Sequence, residues 1–248
     1  MDTLGAVVGP LLAIGFLTFV DLPRELAFRS IFLLSAVPSF VGVLIVLLLV
    51  KDKGKRIFKS VEAISALRSR TLKTFLLIVA IGALGRYSYA FTMWRAGELG
   101  YTIIQSLFFY VIFNVIYSFS AYPIGIYSDK VGKRCVIAAG FGVAGFASLL
   151  FAYATDIITL ILAFVLYGLY MAIEDTVPRA YMADIAEEHE KGVVIGAYHT
   201  VFGTFVFPAS VIVGYLWQNF GLSYGFIYAS LMSFVAMLLA AVVIRENQ

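Results

Sequence analysis

Apolar runs long enough to cross a bilayer follow one another along almost the whole chain, and no other feature limits the fold so strongly. A spanning helix needs about 20 consecutive apolar residues. Such runs occupy 3–20, 30–50, 74–94, 103–126, 135–154, 157–178, 192–217 and 222–244. They take up most of the 248 residues, and the longest interval between them, 51–73, is too short for a folded soluble domain. The runs are continuous and do not alternate at period two, so they read as helices and not as barrel strands. Met1-Asp2 is acidic where a signal peptide carries a basic flank, and Gly9-Pro10 interrupts the first run, which therefore reads as a span. Composition agrees: 62% of residues are hydrophobic and 13% charged, against about half and about a quarter in soluble domains. A water-soluble enzyme, a disordered chain and a disulfide scaffold are excluded. The single cysteine, Cys135, reads as a small apolar filler. The expected fold is an all-α membrane protein with eight transmembrane helices.

Basic residues set its orientation. In an alternating topology one side collects eight Lys and Arg within 51–73, then Lys130, Lys133, Arg134, Arg179, Lys191 and Arg245. The other side holds Arg24, Arg29 and Arg95, and Arg86 falls inside a span. By the positive-inside rule the rich side is cytoplasmic, and both termini with it. Within 51–73, Ile57, Phe58, Val61 and Ile64 recur at helical spacing among the cations. That segment reads either as an amphipathic helix on the inner leaflet or as a solvated linker.

Shifting the chain by 198 positions lays Gly5 on Gly203 and Pro10 on Pro208, with the loop at Asp21 on the loop at Asn219. Internal repeats of this kind build transporter folds. The expected organisation is residues 1–50 as the last two helices of an N-terminal half, 51–73 as a basic cytoplasmic linker, and 74–248 as a complete six-helix C-terminal half. Four helices are then expected to precede Met1.

Between spans 4 and 5 stands Gly125-Ile-Tyr-Ser-Asp129-Lys130-Val-Gly132-Lys133-Arg134. It resembles the cytoplasmic G-x-x-x-D-[RK]-x-G-[RK]-[RK] signature of the major facilitator superfamily, in its second-half copy between the eighth and ninth helices. In span 1, Gly5-Ala-Val-Val-Gly9-Pro10-Leu-Leu-Ala13 resembles the fifth-helix motif of that superfamily's drug/proton antiporters, with Ala13 and Ile14 in place of its final glycines. The resemblance covers the chain as helices five to twelve of twelve and implies a partial major facilitator fold. Gly5 and Gly9, one turn apart, clear a helix face for close packing, and Pro10 bends the helix. Asp129 is suited to accept from helix N-termini and from neighbouring cations, fixing a cytoplasmic clasp.

Polar groups inside the bilayer are costly and are functional candidates by default. Gly82, Arg86, Tyr89 and Met93 share one face of span 3; Tyr167, Tyr170, Met171 and Glu174 share one of span 6, with Asp175 alongside; span 4 offers Tyr110, Asn114 and Tyr117. The resemblance implies that spans 3 and 6 line a central cavity to which span 4 contributes. Arg86, Tyr89, Asn114, Tyr117, Tyr167 and Tyr170 are therefore the candidate substrate-binding residues, and Glu174 and Asp175 the candidates for proton coupling. Glu174 is expected near the cytoplasmic end of span 6, within reach of water or Arg179. Arg86, 13 residues beyond Lys73, is expected at a depth differing from that of Glu174 by about 13 Å, too far for a direct pair. His199 reads as a packed or interfacial residue.

The leading expectation is a secondary active transporter of small molecules that works by alternating access, with proton-coupled efflux across the plasma (inner) membrane. The alternatives are a proton-coupled uptake symporter, in which Arg86 binds an anionic group, and a truncated, transport-incompetent membrane protein. Expected partners are the substrate, protons, the bilayer and the four absent helices. No nucleotide-binding loop, metal-ligand pair or catalytic elbow appears, so no enzyme activity, cofactor, metal or nucleic acid is expected.

Overall fold

The computed structural model describes residues 2–20, 22–50, 67 and 69–245. Among them are nine α-helices and no strand: α1 (Asp2–Phe19), α2 (Arg24–Leu49), α3 (Arg70–Leu84), α4 (Tyr89–Glu98), α5 (Ile103–Val131), α6 (Lys133–Tyr153), α7 (Ile157–Ile185), α8 (Lys191–Phe220) and α9 (Leu222–Arg245). Seven helical stretches are long and apolar enough to cross a membrane, with α3 and α4 together making one of them, Arg70–Glu98; the shorter apolar helix Gly5–Phe19 is additional. The amphipathic helix expected around Ile57, Phe58, Val61 and Ile64 falls outside the described residues.

The structure divides into two compact units, residues 1–59 and 60–248. In the first, Pro10 lies inside α1 and Pro38 inside α2 without ending either helix. Among the described residues, no atom comes within 4 Å of a Cβ built on Gly5 or Gly9. The close approach that these two glycines permit is therefore not made by α2.

In the second unit α6 is the central helix, packed between α7 and α9; α5 lies on α7, and α3 on α8 and α9. Helices in lipid gain little from the hydrophobic effect and associate by close van der Waals contact at small residues. A Cβ on Gly140 would meet Ile173 of α7 at 2.7 Å, and one on Gly145 would meet the Phe234 ring of α9 at 2.8 Å. Gly168 of α7 brings that helix against the backbone of α5, where a Cβ would stand 2.7 Å from the Phe113 carbonyl oxygen. Toward the Tyr153 end of α6, Phe151, Phe164 and Phe226 are fully buried and contact one another edge-on or stacked, with ring centroids 5.0 and 5.3 Å apart from Phe151. The same end of α6 is capped by Arg95 of α4. Its guanidinium donates to the carbonyls of Phe151 (3.0 Å), Ala152 (3.3 Å) and Ala154 (3.0 Å), which have no partner within the helix.

Span 3 is not the continuous helix that its hydropathy suggests. It breaks between Leu84 and Tyr89. Gly85 closes α3 by donating to the Gly82 carbonyl, Arg86 donates to that of Ala83, and Ser88 opens α4 by accepting from the amide of Ala90. Gly85 is required because α9 comes so close: a Cβ there would sit 2.9 Å from the Ala229 carbonyl oxygen. Non-helical backbone at membrane depth is tolerated where protein surrounds it, and Gly85 and Tyr87 are both buried.

The α5–α7 contact makes a direct prediction. Gly168→Ala presses a methyl group onto the immovable Phe113 carbonyl and should lower stability by about 1–3 kcal/mol, as overpacking does. Gly196→Ala, with open space around it, should leave stability unchanged. Thermal unfolding in detergent compares the two; equal midpoints would show that α5 and α7 are not in close contact at this point.

Candidate functional site

The helix break places the Arg86 side chain where a straight helix would not. The guanidinium is flanked by the rings of Tyr170 on α7 and Phe202 on α8, 5.3 and 5.5 Å from their centroids, within the range of cation–π attraction. Its Nη1 donates to Sδ of Met171 at 3.2 Å and forms an ion pair with the Glu174 carboxylate. Only 15% of the Arg86 side chain and 14% of that of Glu174 are exposed.

This pairing corrects the expectation that the two groups lie too far apart in depth. The α7 helix runs on to Ile185, past the end expected at residue 178. Glu174 therefore lies about 16 Å from the basic end of its helix, and Arg86 about 24 Å from the start of α3 at Arg70. Two long side chains, one of them leaving a non-helical segment, span the remaining difference. Arg179, expected as a partner for Glu174, pairs instead with Asp175 one turn back at 2.5 Å. The second Asp175 oxygen accepts from the Tyr117 hydroxyl at 2.6 Å.

Beside the pair is a recess of about 100 Å³, lined by Arg86, Met171, Glu174, Asp175, Arg179, Tyr198, His199 and Phe202. A second cavity of about 10 Å³ is also lined by Arg86, together with Gly85, Tyr87, Ser148, Tyr167, Tyr170 and Ser233. Of the expected substrate residues, Arg86 lines both, whereas Tyr167 and Tyr170 line only the smaller one. Tyr167 is held there by stacking on Tyr87 at 5.4 Å and donates to the Tyr87 carbonyl.

The other three expected residues are not brought to the recess. Tyr89 begins α4 beyond the break and packs on Tyr110, centroids 5.2 Å apart. Once the helix is broken, it no longer shares a face with Arg86. Asn114 is buried and turns its amide back to the Tyr110 carbonyl at 2.8 Å. Tyr117 reaches the site through Asp175. Tyr198, His199 and Phe202 come from α8 and were not among the expected substrate residues. Their only sequence signal, aromatic residues one turn apart at 198 and 202, is lost among 22 Phe and 15 Tyr. His199, read as packed or interfacial, is exposed at the recess with its ring 5.1 Å from that of Tyr198.

The basic end carries the second constellation. Gly132 alone joins α5 to α6, with φ of +101°, a conformation open to glycine and strained for other residues. Lys133 then reaches both Asp129 (3.1 Å) and Asp184 near the end of α7 (2.5 Å). Arg134 donates to the Tyr181 hydroxyl at 3.0 Å and lies over its ring. Gly125 faces Thr176 of α7, 3.6 Å from the position of an added Cβ. Lys130 is exposed, and so is Cys135, which is no interior filler. Motif residues from α5 and α6 thus tie that turn to α7, the helix that carries Glu174.

Comparison with known proteins places this architecture. The Major Facilitator Superfamily profile matches residues 1–203 and again 75–248. The chain is 34% identical over 246 residues to an uncharacterized MFS-type transporter of Methanocaldococcus jannaschii, covering 96% of this chain and 60% of that protein. It is 25% identical over 129 residues to the MFS-type transporter ppzB of Metarhizium rileyi, covering 52% of this chain and 27% of that one. The matched part is thus less than two thirds of the length of either relative, 60% of one and 27% of the other. The family match extends over the whole chain, signature turn included, and a helix bundle with charged groups paired in its interior agrees with it: this chain belongs to the Major Facilitator Superfamily.

Proposed function

We propose that the chain provides the C-terminal half, and two helices of the N-terminal half, of a secondary active transporter that exports small molecules in exchange for protons by alternating access. The largely buried Arg86–Glu174 pair carries this reading. A charge at the bilayer centre is costly unless paired, and removing one member of a buried pair costs about 3–5 kcal/mol. Protonation of Glu174 discharges the carboxylate and releases Arg86 from it, so proton arrival changes which group the guanidinium can hold. Asp175, Arg179 and Tyr117 form a neighbouring network through which the release is felt along α7.

The uptake reading asks Arg86 to be open to an anionic substrate. Its guanidinium already has a carboxylate partner, so an anionic group reaches it only by displacing Glu174, and a carboxylate placed to be displaced in this way favours the coupling reading. The span 1 motif around Gly5, Gly9 and Pro10 also resembles that of proton antiporters. The recess residues and the signature turn then have separate roles: Arg86, Glu174, Tyr198 and Phe202 face the substrate, while Gly125, Asp129, Gly132, Lys133 and Arg134 hold the helices in one of two arrangements.

The natural protein in proteoliposomes, with a pH-sensitive dye inside, tests the coupling. Addition of a transported substrate should drive protons in the opposite direction. Glu174→Gln should abolish that proton flux, and unchanged proton flux would refute the assignment. Arg86→Lys keeps the charge but loses the planar fork that fits between two rings. It should reduce transport by about tenfold or more, with Arg86→Ala lower still. If both variants transport like the parent at equal expression, Arg86 is a packing residue.

Orientation is tested separately. Reporters placed after Lys55, after Lys133 or at the C-terminus should read as cytoplasmic in the plasma membrane, and one in the Asp21–Arg29 loop as external, because basic residues so favour one side. A cytoplasmic signal from the Asp21–Arg29 loop would reverse the assignment.

A further inference from the structure

We propose that the recess beside the Arg86–Glu174 pair binds a small zwitterion of the amino-acid class, its ammonium on Glu174 and its carboxylate on Arg86. The inference rests on the reading of this recess as the substrate site and adds the chemical class of its ligand.

The argument is one of charge balance. The recess is lined by two formal cations, Arg86 and Arg179, and two formal anions, Glu174 and Asp175. All four are engaged, as Arg86–Glu174 and Arg179–Asp175. Tyr198 and His199 are the other titratable groups on the wall. Arg179 and Asp175 are 54% and 39% exposed and can be compensated by water, but a singly charged ligand that takes a partner from Arg86–Glu174 leaves the other member uncompensated where only 14–15% of either side chain is exposed, the situation that makes breaking a buried pair so costly. A wholly apolar ligand does not compensate either member. A zwitterion inserted between Arg86 and Glu174 replaces one salt bridge by two and changes the net charge by nothing.

Geometry supports the same class. Arg86 is fixed by Tyr170 on one element and Phe202 on another, so its fork is held in place for a planar carboxylate, which it matches in a bidentate manner. Glu174 lies on the same wall, as the anion that the ammonium would take. Met171, Tyr198 and Phe202 form the apolar part of the wall, against which a short side chain can rest. The open space of about 100 Å³ admits a small amino acid. Proton and ligand also exclude each other: a protonated Glu174 has no charge to offer the ammonium, so the two loads alternate on one carboxylate.

Three probes with the same two-carbon frame separate the charge classes: L-alanine, ethylamine and propionate. Each is titrated at millimolar concentration, near neutral pH and with no gradient, into the natural protein in nanodiscs, and binding is read from the rise in unfolding midpoint. L-alanine should bind at least about tenfold more tightly than either singly charged probe, a difference of about 1.4 kcal/mol. In Glu174→Gln, where Arg86 loses its counter-charge, preference should turn to propionate; in Arg86→Gln it should turn to ethylamine. These are gains of binding that a misfolded variant does not give. Ethylamine or propionate binding the parent as tightly as L-alanine overturns the proposal, and so does the absence of L-alanine binding or an unchanged preference in the two variants. Selective L-alanine binding without proton flux refutes the coupling and keeps the ligand class; proton flux without that selectivity does the reverse.

Discussion

An arginine and a glutamate paired in the interior of an apolar helix bundle impose conditions on everything around them. Neither ion is stable alone at that depth, so the two must meet, and their helices must bring them to nearly the same level. For α7 this means running unbroken from Ile157 to Ile185, with Glu174 well inside. For the chain between Arg70 and Glu98 it means giving up four residues of helix so that Arg86 leaves the axis. The break in turn requires a glycine at 85, because only a residue without a side chain lets α9 pass so close. A single electrostatic requirement thus reaches from the centre of α7 to the packing of α9.

The basic end has a different economy. Asp129 and Asp184 are 66% and 56% exposed, and exposed ion pairs contribute little to stability singly. Their value is geometric. Lys133, only 17% exposed, bridges the end of α5 to the end of α7, and Arg134 holds Tyr181 one turn away from Asp184. The apolar layer immediately inside, with Val136, Ile137, Ile173, Val177 and Met182, makes the same α6–α7 contact by burial. Polar links at the surface and packed side chains beneath specify one register of α7 against α6.

Much of this is legible in the amino-acid sequence. Each spanning segment announces itself through continuous hydropathy, since lipid allows few alternatives to a helix, and the signature from Gly125 to Arg134 has a spacing that apolar composition does not generate. The site was legible in its ingredients only. Arg86, Glu174, Asp175, Tyr167 and Tyr170 stand out as polar groups in apolar runs. Their pairing does not, because rise per residue measures depth only along an unbroken helix with known ends. Gly85 and Ser88, a helix stop followed by an N-cap, were signals of the break that the surrounding hydropathy concealed. Tyr198 and Phe202 carried no signal distinguishable from core packing, since a ring that faces a cation and a ring that faces another ring look alike in sequence.

The surroundings of Arg86 also determine what kind of change this site can undergo. The next residue, Tyr87, is buried with its ring against Phe226 at 5.0 Å and Tyr167 at 5.4 Å, while its hydroxyl meets Ser148 at 3.2 Å. Ser148 itself donates to the Ala144 carbonyl within α6. On the other side Gly85 is fixed against α9. The backbone that carries Arg86 is therefore gripped by α6, α7 and α9, although it is not helical. Non-helical backbone is often equated with mobility, but mobility follows from few buried contacts, and this segment has many. A change of partner at Arg86 therefore has to come from its side chain or from the partner itself, because the Cα that carries it is held.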